Sequence, residues 1–330
     1  MLYGGLDVHK DFLQACWVNQ DNQIVREEKF ETTVAGIQAL CTIAQGSHCV
    51  VEASTAVYPI YDALQNAHIT VESAHPLKLK AISSAKLKTD KVDARMLAHL
   101  ACANLIPPAH LPNQATRELR DLIHQHILLT RESTKIKNQT RALLLKRGIK
   151  PDKNMFTKKN QKKVIEQTQG VAKLALEQAL ARLGFIQKQR QTVDQCIEQQ
   201  AQTNPDAVLI KTIPGIGWFS ALLLASAIDG IERFPDAEHL VSYAGLSPST
   251  RQSGNVTRTG PISKKGNSNM RSALVQCAWM AIRCSKRFRK KFMKIGRKKN
   301  AKTAITVIAR KMLTITYFML SRREVYSETA

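Results

Sequence analysis

From His239 to Arg323 the chain contains no Asp or Glu, while Arg and Lys recur from Arg251 onward. An ordinary solvated surface mixes both signs, so this one-sided stretch points to a polyanionic partner. The whole chain shares the bias, with 49 Lys and Arg against 26 Asp and Glu in 330 residues and a formal charge of +23. That exceeds what solubility requires, and nucleic acid is the first partner to consider.

Other scarcities narrow the class. The seven cysteines, at 16, 41, 49, 102, 196, 277 and 284, are never spaced as Cys-x-x-Cys, so neither a zinc module nor a disulfide framework is expected. A reducing cytoplasm is the plain reading, with most of the thiols as small core residues. The histidines form no ligand cluster, because His124 and His126, two apart, point to different faces of a helix. No apolar run long enough to span a bilayer, no signal peptide and no lipidation motif are expected, which disfavours a membrane as the anionic partner. The hydrophobic share, 44%, suits a globular chain with room for two domains.

The first hundred residues alternate short apolar runs with amphipathic ones, the pattern of an α/β domain. Leu2 to Leu6 reads as a strand running into Asp7, and Phe12–Val18 and Ile24–Phe30 flank a polar turn as a hairpin. A helix over Val34–Ala44, a buried strand over His48–Val51 ending at Glu52, a helix over Ile60–Ala67 and a strand over Ile69–Ser73 follow. Thr89 is placed to cap a helix whose first turn carries Asp90 and Asp93, three apart and on one face. From Thr116 to Gln202 strand signals are missing, and two long helices joined near Gly148–Asn154 are expected. Pro214-Gly215-Ile216-Gly217 precedes the apolar helix Trp218–Ile228. It reads either as the turn of a helix-hairpin-helix element offering amides to a phosphate or as a plain tight turn. Leu246–Asn269 reads as a loop, after which helices resume.

Four acids stand out by position. Asp7 and Glu52 lie at strand ends, and Asp90 and Asp93 on one turn of a following helix. If the first and fourth strands are neighbours, all four converge on one edge in a ribonuclease-H-like arrangement. Carboxylates so placed hold Mg²⁺ or Mn²⁺, the ions used in phosphodiester cleavage. Taken singly, each acid is an ordinary cap or surface group. An actin-like sugar-kinase fold also opens with a strand, an Asp and a hairpin, but it needs glycine-rich phosphate loops that this half lacks.

At these residues the sequence resembles a known family. Gly5-Leu6-Asp7-Val8-His9-Lys10, Val51-Glu52-Ala53-Ser54-Thr55, Thr89-Asp90-Lys91-Val92-Asp93-Ala94-Arg95, Ile213-Pro214-Gly215-Ile216-Gly217 and Tyr243-Ala244-Gly245-Leu246-Ser247-Pro248 are similar to the motifs of the DEDD transposases of the IS one-ten insertion-sequence family. They run in the same order over nearly the whole chain, and the Thr-Asp-x-x-Asp-Ala-Arg segment is the most specific. One departure is the absence of the glycine that often follows the Glu52 acid.

The resemblance implies an N-terminal RuvC-like domain (residues 1–112), a helical coiled-coil arm (113–205) and a mostly helical C-terminal transposase domain (206–330). It implies a metal site of Asp7, Glu52, Asp90 and Asp93, and a nucleophilic serine that maps to Ser253. From the residues alone Ser247, Ser249, Ser263 and Ser268 are equal candidates for that role. Arg251, Arg258, Lys264, Lys265 and Arg271 would then contact nucleic acid near the reacting phosphate. The family further implies donor and target DNA, a guide RNA from the element itself, and a homo-oligomer, dimer or tetramer, with sites assembled between subunits. A hydrolytic RuvC-like nuclease such as a junction resolvase, or a non-enzymatic nucleic-acid-binding protein, are the alternatives.

Overall fold

The computed structural model describes residues 1–82, 89–253 and 256–328; the side chains of residues 250, 251, 253 and 256–259 lie outside the description. The chain divides into two compact units, Met1–Pro112 and Asn113–Ala330.

The first unit is a five-stranded mixed sheet. Its strands are β1 (Leu2–Val8), β2 (Phe12–Val18), β3 (Ile24–Glu31), β4 (Ser47–Glu52) and β5 (Thr70–Ala74), in the spatial order β3-β2-β1-β4-β5. β1, β2 and β3 form an antiparallel meander, while β4 lies parallel to both β1 and β5. Alternation along the strands sorts side chains to two faces. Leu6, Leu13, Ala15, Trp17, Cys49 and Val51 pack with Leu40 of α1 (Val34–Ile43) and with Ile60 and Leu64 of α2 (Tyr58–Asn66). On the other face Val50 meets Leu79 of α3 (Pro76–Ile82) and Leu97 of α4 (Asp90–Cys102). The expected elements of this half are present, with β1 extended to include Asp7.

The second unit is mostly helical. α5 (Gln114–Leu145) and α7 (Gly170–Thr203) pack together and are joined through α6 (Lys158–Glu166). Their connecting end has its own core of Leu144, Met155, Val164, Leu176 and Leu180. The main core surrounds α9 (Trp218–Ile228), in which every residue from Ala221 to Ile228 is buried. α9 is therefore apolar on all sides and shows no stripe. α8 (Pro205–Lys211), α10 (Ala237–Tyr243), α11 (Ser268–Cys284), α12 (Lys286–Gly296) and α13 (Ala301–Arg322) complete the unit. Asn113, Asn204, Asp236, Asn267, Ser285 and Asn300 each accept a backbone N–H at a helix start. A cap of this kind contributes about 1 kcal/mol.

Two expectations are corrected. Leu246–Asn269 is not a plain loop but contains an antiparallel hairpin, β6 (Pro248–Ser253) with β7 (Val256–Ile262). Its Ser, Thr, Gly and Asn content carries no apolar alternation, so periodicity had nothing to register. α13 is, by length and composition, apolar enough to cross a membrane, against the expectation that no run is. Ile305, Ile308, Ala309, Met312 and Leu313 bury its inner face in the core of the second unit.

Candidate metal centre

On β1, Leu6 faces α1 and α2, so by alternation Gly5 and Asp7 face α4. At Gly5 strand and helix touch. A Cβ there would lie 2.1 Å from the Ala94 carbonyl oxygen and 2.4 Å from the Ala98 nitrogen. Ala94 and Ala98 are fully buried. A glycine opposite two alanines lets α4 lie directly on β1, which brings its first turn over the end of that strand. Thr89 starts the helix by accepting the Val92 N–H at 3.3 Å. Arg95 then fastens it laterally, donating through Nε and Nη2 to both carboxylate oxygens of Glu27 on β3. The Asp-Ala-Arg segment thus supplies one acid whose charge reaches Asp7, one small contact and one clamp.

Glu52 ends β4. The β1–β4 ladder ends with Leu6 paired to Val51, and Asp7 and Glu52 are the next residues on the two strands. It shares its side of the pleat with Val50, which packs against α4. Asp90 and Asp93 come from the first turn of α4, where acids also complement the positive end of the helix.

Between Asp7 and Asp90 sits His9, just beyond β1. Its Nε2 is 3.0 Å from Asp7 Oδ2 and 3.2 Å from Asp90 Oδ1. One ligand atom from each of the three residues lies within 4.8 Å of the others. Asp7 is the most enclosed, its side chain 16% exposed against 49% for Asp90. Burial holds the Asp7 carboxyl above its usual range, the neighbouring His9 pulls it back, and the charges of Asp93 and Asp90 push it up again. Two hard carboxylates and an imidazole at this spacing, with a third acid near enough to raise Asp7, are a donor set that fits a divalent cation. The cation would relieve the crowding of like charge.

His9 is the site residue that sequence reasoning passed over. The available signal was Asp-x-His at a strand end, a two-residue spacing that turns both side chains to one side. Ser253 ends β6, and its side chain, with those of Arg251 and Arg258, lies outside the described residues. Lys264 and Lys265 are exposed beyond the hairpin. Arg271 Nη1 donates to the Ala244 carbonyl at 2.9 Å, closing the end of α10. Gly245, at φ +67, turns the chain from α10 into the hairpin. Gly215, at φ +90, sits where a Cβ would lie 2.5 Å from the Ala281 nitrogen on α11, which accounts for that glycine by helix packing.

Two family models match the chain. Residues 4–148 match the transposase model of the DEDD IS110 type, and residues 207–293 match the transposase model of the IS116/IS110/IS902 family. Among similar proteins, the transposase for insertion sequence element IS1111A of Coxiella burnetii is 22% identical over 98% of this chain and 90% of its own length. The pilin gene-inverting protein of Moraxella lacunata is 27% identical over 99% and 98%. The transposase for insertion sequence element IS1328 of Yersinia enterocolitica is 28% identical over 58% of each chain. The chain spans 59% of the length of a further relative, a Sinorhizobium fredii protein named as a transposase. An α/β unit with acids at its strand ends, joined to a basic helical unit, is here an enzyme of the DNA-transposase class. Within that class the chain belongs to the IS110 family of DEDD transposases.

Proposed function

We propose that this transposase cleaves and rejoins DNA through a covalent phosphoserine, with a divalent ion at Asp7, Glu52, Asp90 and Asp93 and with Ser253 as nucleophile. The observation that carries the reading is the approach of Asp90 to Asp7 across His9, at the end of a strand beside the one that ends in Glu52. The sheet order with β1 beside β4 supports a RuvC-like, ribonuclease-H-like first unit. When bound, Mg²⁺ or Mn²⁺ would polarise the scissile phosphate as a Lewis acid. Ser253 Oγ would bond to phosphorus as the bond to one sugar oxygen breaks. The serine proton passes to a base and the departing oxygen takes one up. The phosphoserine keeps the phosphodiester energy, so a second sugar hydroxyl can displace serine and restore a strand without ATP.

Arg251, Arg258, Lys264, Lys265 and Arg271 are assigned to nucleic-acid contact around this step, with Arg271 also holding the hairpin base. Residues 113–205 are assigned as a helical arm and 206–330 as the transposase domain. The IS110 resemblance extends the proposal to an element-encoded guide RNA, a homo-oligomer and action on chromosomal DNA in the cytoplasm. A relative named for inverting a pilin gene is consistent with rejoining rather than cutting alone.

The test is incubation of the full chain with DNA carrying the element's ends in Mg²⁺ or Mn²⁺. A detergent-resistant protein–DNA adduct is expected, absent in Ser253→Ala, while Asp7→Asn and Asp93→Asn lose both cleavage and adduct. Free ends without adduct would instead establish a hydrolytic nuclease.

A further inference from the structure

Two depressions in the second unit share a wall. One, of about 570 Å³, lies between the base of the β6–β7 hairpin and the start of α13, with Lys264, Lys299 and Lys302 in its lining. The other, of about 430 Å³, lies between α12 and α13 and is lined by Lys291, Lys294, Lys298 and Lys299. Lys299 and Val307 border both, so the two adjoin and together make a lysine-lined groove. Among the described residues no acidic one lines either part. Glu238 pairs with Arg310 at 2.6 Å on the hairpin side and so offsets that arginine, while none of the six lysines is ion-paired among the described residues.

At the start of α13 the arrangement runs against helix electrostatics. The N-terminal end of a helix is its positive end and favours anions. α13 has no acid in its first turn; Lys302 lies in that turn, and Lys298 and Lys299 directly precede its cap Asn300, while Lys291 and Lys294 come from the middle and the last turn of α12. Burial pushes the Lys291 ammonium below its ordinary range, and the charges of Lys311 and Arg287 push it the same way. Like charges gathered along α12 and at the start of α13 repel one another in the free protein, and an anion seated among them would remove that repulsion.

We propose that this groove is a track for the phosphodiester backbone of a nucleic acid, built from residues other than the four acids and His9 and indifferent to base sequence. Two features support the indifference. Among the described residues no aromatic side chain lines the groove, so these offer bases no stacking platform. Its cations without an ion pair are lysines, which act on phosphates as point charges rather than as the forked donors that read base edges. The proposal takes only the choice of polyanion from the reading of the chain as a DNA-acting enzyme, and needs neither the metal nor Ser253.

The test compares the full chain with K294Q/K298Q/K299Q, with K158Q/K159Q/K162Q on α6 as a control that removes the same charge elsewhere, and with Asp7→Asn. Binding to a DNA duplex of arbitrary sequence and to an RNA hairpin is measured across a salt series, with circular dichroism checking the fold of each variant. On duplex DNA the groove variant should reduce the slope of log K against log salt by about 2.7, three phosphates at about 0.9 each, equally for unrelated sequences. The polymer whose binding falls is the one the groove holds. The α6 control and Asp7→Asn should keep the parent slope, so loss of cleavage in Asp7→Asn leaves this proposal standing. An unchanged slope on both polymers, or an equal fall in the α6 control, would overturn it.

Discussion

A methyl group at Gly5 would meet backbone atoms of α4 on two sides, the Ala94 carbonyl oxygen and the Ala98 nitrogen. Neither can rotate away, so Gly5→Ala must lift the helix from the sheet. We expect a loss of about 1–3 kcal/mol in a urea titration, the range for overpacking. Since Asp90 and Asp93 ride on that helix, Mn²⁺ binding measured by calorimetry should weaken in the same variant. His9→Ala tests a different contact. It removes the imidazole between Asp7 and Asp90 without touching the packing at Gly5. Metal affinity is expected to fall about 10–100-fold, as when a partner that orients a ligand is lost. Unchanged affinity would reduce His9 to a turn residue packed on Phe12.

At the scale of elements, α4 is the part that makes the site, and its clamp has a pH signature. The hydrogen bond from Arg95 holds the Glu27 carboxyl below its ordinary range, partly offset by burial. A depressed folded-state pKa stabilises the fold above the unfolded value and loses that stabilisation as pH falls through the folded one. Glu27→Gln should therefore lower the Tm near neutrality, and the gap from the parent should close below the normal carboxylate range of about pH 4. A gap that persists in acid would mean that the side chain matters through packing instead. The acids of this helix were legible in the sequence because Thr89, Asp90 and Asp93 form a local pattern of cap and first turn. Arg95 was legible only as part of a motif. Its partner Glu27 is 68 residues away, and nothing local links the two.

For the whole molecule, two units with separate cores predict separable damage. In hydrogen exchange on the full chain, Gly5→Ala should lose protection within Met1–Pro112. Leu224→Ala, at a fully buried position of α9, should lose it within Asn113–Ala330, at a cost of about 2–5 kcal/mol. Loss spread equally over both units in either variant would show that they unfold as one.

The order of strands and helices in the first unit apart from α3, the acids at strand ends and the long stretch without acids were written in the sequence. Each follows from alternation, capping or charge over a few neighbouring residues. Pairing of β1 with β4, the contact of Gly5 with α4 and the place of His9 between two acids came only with tertiary packing. The same holds for the hairpin at 248–262, whose strands lack an apolar face, and for the groove that joins Lys264 to Lys299. Such proximities depend on how closely and at what register elements meet, and no local pattern encodes that.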